Sequence, residues 1–159
     1  MNGLIWLFPV LCTVHNIDEG LTLPSYAEAQ EKSILKNKRV FIGLIVFLTI
    51  LAYAVTGLFA VYKTPFFSYL YFGYVGAMLI NAFIPHITGS IMAKRPLPGL
   101  VTAIINALVF GYILVLAVIL ETISLQTLLY STVIVGGAIL CLMFFCFRFL
   151  GEDKSKQEA

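Results

Sequence analysis

Five apolar segments, each near the ~20 residues an α-helix needs to cross a bilayer, constrain this chain more than anything else in it. They run from about Asn2 to Gly20, Val40 to Tyr62, Phe66 to Met92, Pro98 to Leu120 and Leu125 to Leu150. Hydrocarbon offers no partner to a bare backbone N–H or C=O, so apolar segments of this length are expected to be helices. The expected fold is all-α: one integral membrane helical bundle over residues 1–150, with about five transmembrane helices and a polar tail at 151–159. Composition agrees, with 60% of the 159 residues hydrophobic and 11% charged, against about 25% charged in soluble domains. A net charge of +2 is too small to suggest nucleic acid as a partner; the bilayer is the expected one.

Basic residues set the expected orientation. The first loop carries Lys32, Lys36, Lys38 and Arg39, the second only Lys63, the third Lys94 and Arg95, the fourth none, and the end of the chain Arg148, Lys154 and Lys156. This alternation places the N-terminus outside and the C-terminus in the cytoplasm, as expected for a multi-pass protein of a cell membrane. The first segment is the least apolar, because its hydrophobic part stops at Val14. It lacks the basic start and small-residue cleavage site of a leader, so it reads as a retained helix that is short, tilted or re-entrant. The stretch from Pro24 to Arg39 is rich in helix formers and spaces Glu28 and Lys32 as an i,i+4 pair, which predicts a short surface helix.

Several features have plain structural readings. Tyr62, Phe66, Phe67, Tyr69, Tyr71, Phe72 and Tyr74 are expected to form an interfacial aromatic belt. Gly73 with Ala77, and the Gly136–Gly137 pair, predict close helix packing. Cys12, Cys141 and Cys146 lie in apolar stretches and give no disulfide framework. Cys12 stands three residues before His15, but reads as a buried small hydrophobe.

The polar residues inside the segments carry the chemistry, since ionisable groups in a membrane are costly and need internal partners. His15, Asp18 and Glu19 follow the first apolar run, and His15 and Glu19 share a helical face. Asn81 and His86 interrupt the third segment. The alternating topology places His15, His86 and Asn106 at similar depth in the inner half of the membrane. Pro85 cannot donate to the Asn81 carbonyl, so a kink is expected there. Two imidazoles and a carboxylate suit zinc hydrolysis or non-haem iron chemistry. Three readings are open: a metal-dependent or acid–base enzyme acting on a lipid-like substrate; a small carrier or ligand-binding protein using the same residues for protons; and a structural helper subunit locked by a polar network. In the first, His15, Glu19 and His86 would hold a divalent metal, zinc or iron. Asp18 would act as a further ligand or general base, and Asn81 would orient the reacting groups. Asn106 is expected to make an interhelical hydrogen bond. Thr88, Ser90 and Thr102 are expected to bond only their own helix backbone. The sequence does not fix the oligomeric state.

His15-Asn16-Ile17-Asp18-Glu19, with Pro24 shortly after, resembles the signature of the HXXEE-domain family. Asn81-Ala-Phe-Ile-Pro-His86, followed by Pro98-Gly99 and Thr102-Ala103, is similar to that family's second block. Asp18 stands where the family usually has Glu, which keeps the charge and shortens its reach by a methylene. The resemblance implies a small bacterial multi-span membrane protein, of the inner membrane, with no established activity. It marks His15, Asp18, Glu19, Asn81, His86, Pro98 and Gly99 as motif positions, with Pro98 and Gly99 shaping the start of the fourth helix.

Overall fold

A computed structural model of the chain describes residues 3–29 and 38–150. The expected surface helix between Pro24 and Arg39 falls partly, and the 151–159 tail wholly, outside the described residues. Five helices make up the fold: α1 (Leu7–Ala29), α2 (Lys38–Tyr62), α3 (Pro65–Ala93), α4 (Leu100–Ile119) and α5 (Leu125–Phe149). A 3-10 turn at Leu4–Trp6 leads into α1. Among the described residues, α2 to α5 are the helices long and apolar enough to cross a membrane, with mean hydropathies of 2.5, 1.4, 2.5 and 2.3. α1 is 23 residues long, but its second half is too polar to join them. The first segment was expected to end near Gly20, with Pro24 opening a separate surface helix. Pro24 instead lies inside α1, which runs on to Ala29.

The turns follow from local chemistry. Lys63, Lys94 and Glu121 take left-handed φ values of 47°, 51° and 53°, a common way to end a helix and reverse the chain. The Thr64 hydroxyl then accepts from Phe67 N, with Pro65 opening α3, and Ser124 accepts from Thr127 N to open α5. Short turns of this kind make successive helices from α2 onward antiparallel. α3 is the central helix, packed against α2, α4 and α5, while α1 packs against α2 and α4.

The core explains why α3 can be central. A Cβ on Gly73 would stand 2.7 Å from the Ser131 carbonyl oxygen, so only glycine lets the α3 and α5 backbones approach this closely. Gly136 likewise faces Ala77, whereas nothing lies within 4 Å of a Cβ built on Gly137. Phe8 of α1 is fully buried and meets the rings of Tyr71, Tyr74 and Phe110 edge-on, at centroid distances of 5.6, 5.2 and 5.3 Å. The expected aromatic belt therefore divides. Tyr62 and Phe66 are exposed, but Tyr71, Phe72 and Tyr74 are core residues. Tyr71 donates to the Ile5 carbonyl at 3.0 Å and Tyr74 to the Leu48 carbonyl at 2.8 Å, which satisfies the one polar atom each carries into the interior. Cys12 is buried in the same core.

Candidate metal centre

α1 offers His15 and Glu19 one turn apart, on the face it turns toward α3 and α4. α3 answers from an unusual stretch. Over Ala82–Thr88 its hydrogen bonding widens to π-helical geometry around Pro85. A π segment adds a residue to the turn and shifts everything after it around the axis. The helix thus continues past a residue with no N–H to give, and the disturbance expected at Pro85 takes the form of a π segment. His86 lies within this segment and is buried.

The turn into α4 completes the site. Gly99 caps α4 at φ 77°, a conformation that disfavours any side chain. A Cβ there would lie 3.0 Å from His86 Cε1 and 3.3 Å from His15 Cε1, so the glycine is also required by the two imidazoles it supports. Pro98 was expected in the first turn of the helix. It stays outside, and its carbonyl, freed from helical bonding, accepts from His86 Nδ1 at 3.0 Å.

These partners fix both rings. A carbonyl only accepts, so the His86 hydrogen sits on Nδ1. His15 Nδ1 lies 2.8 Å from Thr102 Oγ1, which in turn lies 2.9 Å from Asp18 Oδ2 and 3.0 Å from the Gly99 carbonyl. The hydroxyl has one hydrogen, and a carboxylate is the strongest acceptor in reach. Thr102 therefore donates to Asp18 and accepts from His15 Nδ1–H. Both imidazoles hold their hydrogen outward and turn Nε2 inward, with ring centroids 4.8 Å apart at 83°.

Glu19 Oε1 stands between them, 3.0 Å from His86 Nε2 and 3.8 Å from His15 Nε2. His86 Nε2 is buried and has no hydrogen-bond partner. The nearby carboxylate oxygen lies off the axis along which the ring nitrogen would bond. The two Nε2 atoms thus face one carboxylate, an arrangement that a cation reconciles, either a proton that makes His86 an imidazolium or a metal ion shared by all three groups. The ligand atoms of His15, Glu19 and His86 all lie within 4.8 Å of one another. Tetrahedral zinc at ordinary bond lengths holds its donors about 3.4 Å apart, so the set would bind a metal by drawing its widest pair together by rather more than an ångström.

The other candidates fall at graded distances. Asp18 reaches the site only through Thr102, so its geometry is that of a group that positions His15. Asn81 stands half-buried at the entrance to the π segment and Asn106 is buried one turn beyond Thr102; neither belongs to the cluster. Thr102 does bond the backbone, at Gly99, but it also bridges His15 and Asp18. Its sequence signal was the resemblance of Pro98-Gly99 and Thr102-Ala103 to the family's second block, at the head of α4.

The family whose model matches residues 6–114 is described as a protein of unknown function with HXXEE motif. The chain belongs to this family. The matched stretch contains His15, Asp18, Glu19, His86, Gly99 and Thr102, with α5 outside it. The chain is also similar to the uncharacterized protein YrkK of Bacillus subtilis (strain 168), at 26% identity over 153 residues that cover 93% of this chain and 96% of the relative. No solved structure matches.

Proposed function

We propose that this HXXEE protein is a multi-span membrane protein whose His15, Glu19 and His86 bind a divalent zinc or iron ion and act on a lipid-like substrate. The bilayer reading rests on the four long apolar helices and on the large apolar side chains they leave exposed, such as Ile50, Leu108, Val133 and Phe144. In a soluble protein this much exposed apolar surface would drive association. In this reading α1 crosses as a fifth, more polar span. The orientation has the N-terminus outside, because Lys38, Arg39, Lys94, Arg95 and Arg148 gather at one end of the bundle and only Lys63 lies at the other among the described residues.

The observation that carries the metal assignment is the convergence of His15, Glu19 and His86 ligand atoms in one buried cluster, with both Nε2 atoms turned toward one carboxylate. When bound, a divalent ion supplies Lewis acidity and makes water a usable nucleophile near neutral pH. The protein's own part is to hold each Nδ1–H, through Pro98 and through Thr102 with Asp18, so that neither ring can rotate or change tautomer. Three protein donors leave an open position for substrate, as in catalytic rather than structural sites.

Metal content by mass spectrometry tests this, on protein purified in mild detergent without chelator or His tag. About one zinc or iron per chain is expected, lost in the His15→Ala, His86→Ala double variant. A folded wild type with no metal overturns the assignment and favours proton handling or packing by the same residues.

A further inference from the structure

The buried cluster opens on one side. The side chain of Glu19 is 12% exposed against 5% for each imidazole. Thr22, one turn further along α1, is exposed. The next residue on this face is Tyr26. It lies eleven positions after His15, within about 20° of it around the axis, and rises about 10 Å beyond Glu19. A guanidinium closes this end: Arg95 Nη2 donates to the Tyr26 hydroxyl at 3.0 Å, and its Cζ lies 5.4 Å from the ring centroid. Covalent geometry ties the two ends together independently. Arg95 is four residues before Gly99, which touches both imidazoles, so the backbones at these positions are at most about 14 Å apart. The turn is itself braced, with Arg95 N bonded to the Ser90 carbonyl and Leu97 N to Ser90 Oγ. Glu19, Thr22, Tyr26 and Arg95 therefore mark the side on which the cluster is least covered.

We propose that Arg95, held by Tyr26, recognises the phosphate of a membrane amphiphile whose reacting group lies about 10 Å deeper, at the His15–Glu19–His86 cluster. This rests on the metal reading and names its substrate class. A guanidinium fork matches phosphate geometry, and stacking on an aromatic ring keeps the fork in one plane. The depths agree as well. Arg95 lies past the end of α3, so in the bilayer reading it stands nearer the headgroups and the cluster lies deeper. Headgroup regions add only about 5–8 Å to each side of a ~30 Å hydrocarbon core, so a lipid that places its phosphate at Arg95 brings the top of its acyl chains, just below the backbone linkage, to the cluster.

The test is equilibrium binding to the full-length protein in detergent, with three probes: phosphatidylglycerol, diacylglycerol and inorganic phosphate. Phosphatidylglycerol is expected to bind at least about tenfold tighter than diacylglycerol, a preference worth one well-formed charged contact, while inorganic phosphate binds far more weakly than either. Arg95→Gln removes the preference and Arg95→Lys removes most of it. Lys94→Asn takes the same charge from the same turn, at a left-handed position that Asn tolerates, and leaves the preference intact. Equal losses in Arg95→Gln and Lys94→Asn overturn the proposal, because general surface charge would then explain the binding. So do equal affinities for the two lipids, and so does inorganic phosphate binding as tightly as phosphatidylglycerol, which would assign Arg95 to a soluble anion. Metal content is read on the same samples. Arg95→Gln should keep the wild-type value, so failure of headgroup recognition and failure of the metal assignment are distinguishable.

Discussion

The two ends of the α1–α3 contact handle buried polarity in opposite ways. Toward the start of α1, the hydroxyls of Tyr71 and Tyr74 each meet a backbone carbonyl, at Ile5 and Leu48, and a ring of aromatics closes around Phe8. Both buried tyrosine hydroxyls there have protein partners. One to three turns further along α1, His15 and His86 are just as buried, at 4% exposure each, yet their hydrogen bonds all point outward. What they direct inward is Nε2. The same helices thus hold a region whose polar groups fix packing and one whose polar groups converge on a shared point, the proposed cation site. What the inward-facing atoms meet, rather than burial or residue type, separates the two.

The sharpest way to break this comparison is His86→Ala. It should take metal from about one ion per chain to below roughly a tenth, because a two-donor remnant is a poor site for zinc or iron. The matching change at the other end, Tyr71→Phe, should leave metal content untouched. If both variants keep their metal, the contrast between the two regions has no chemical meaning.

A pair of glycine substitutions comes next. Gly99→Ala must place a side chain at φ 77°, which costs about 1–2 kcal/mol by itself, and the new methyl presses on both imidazoles. Loss of thermal stability and loss of metal should appear together. Gly73→Ala meets the α5 backbone at Ser131 and should lower stability by a similar or larger amount while the remaining folded protein keeps its metal. Calorimetry and metal analysis on the same preparations would check both. Coupled losses in Gly73→Ala would mean that the site depends on global packing rather than on its own turn.

Thr102→Val is a smaller and more specific change. It keeps shape and removes the hydroxyl that joins His15 Nδ1 to Asp18. Metal affinity, measured by competition with a chelator, should fall roughly 10–100-fold, the usual effect of losing a group that orients a ligand. Thr102→Ser should restore it. An unchanged affinity would show that His15 is held by packing alone.

The five helices were legible because apolar length and basic-loop spacing are properties of composition along the chain. The meeting of His15, Glu19 and His86 was legible in outline, since both His residues fell at one depth. What the sequence hid were features set by neighbours rather than by order. Pro85 announces a disturbance, but its form is decided by what packs around it, and here the helix widens to π geometry with His86 buried inside the segment. Tyr71 and Tyr74 have the residue types and position of an interfacial belt; only the location of Ile5 and Leu48 shows that they are core. Thr102 looked like any helix threonine, because a single hydroxyl serves the backbone and a site with equal ease.

Tyr71→Phe, the mildest variant, bears most directly on the dry end of the comparison. It deletes one oxygen and leaves a buried Ile5 carbonyl without its donor. The net loss should be about 0.5–1.5 kcal/mol, because the ring still stacks on Phe59 at 4.8 Å and meets Phe8 edge-on. Thermal unfolding in detergent would read this as a modest fall in midpoint with no change in metal content. A much larger fall would mean that the Tyr71 hydroxyl holds the first turn of α1 in place. A loss of metal with it would mean that α1 must be pinned at Ile5 for His15 and Glu19 to reach His86. In that case the two regions would be one device: the aromatic end would set the register of α1, and the polar end would depend on it.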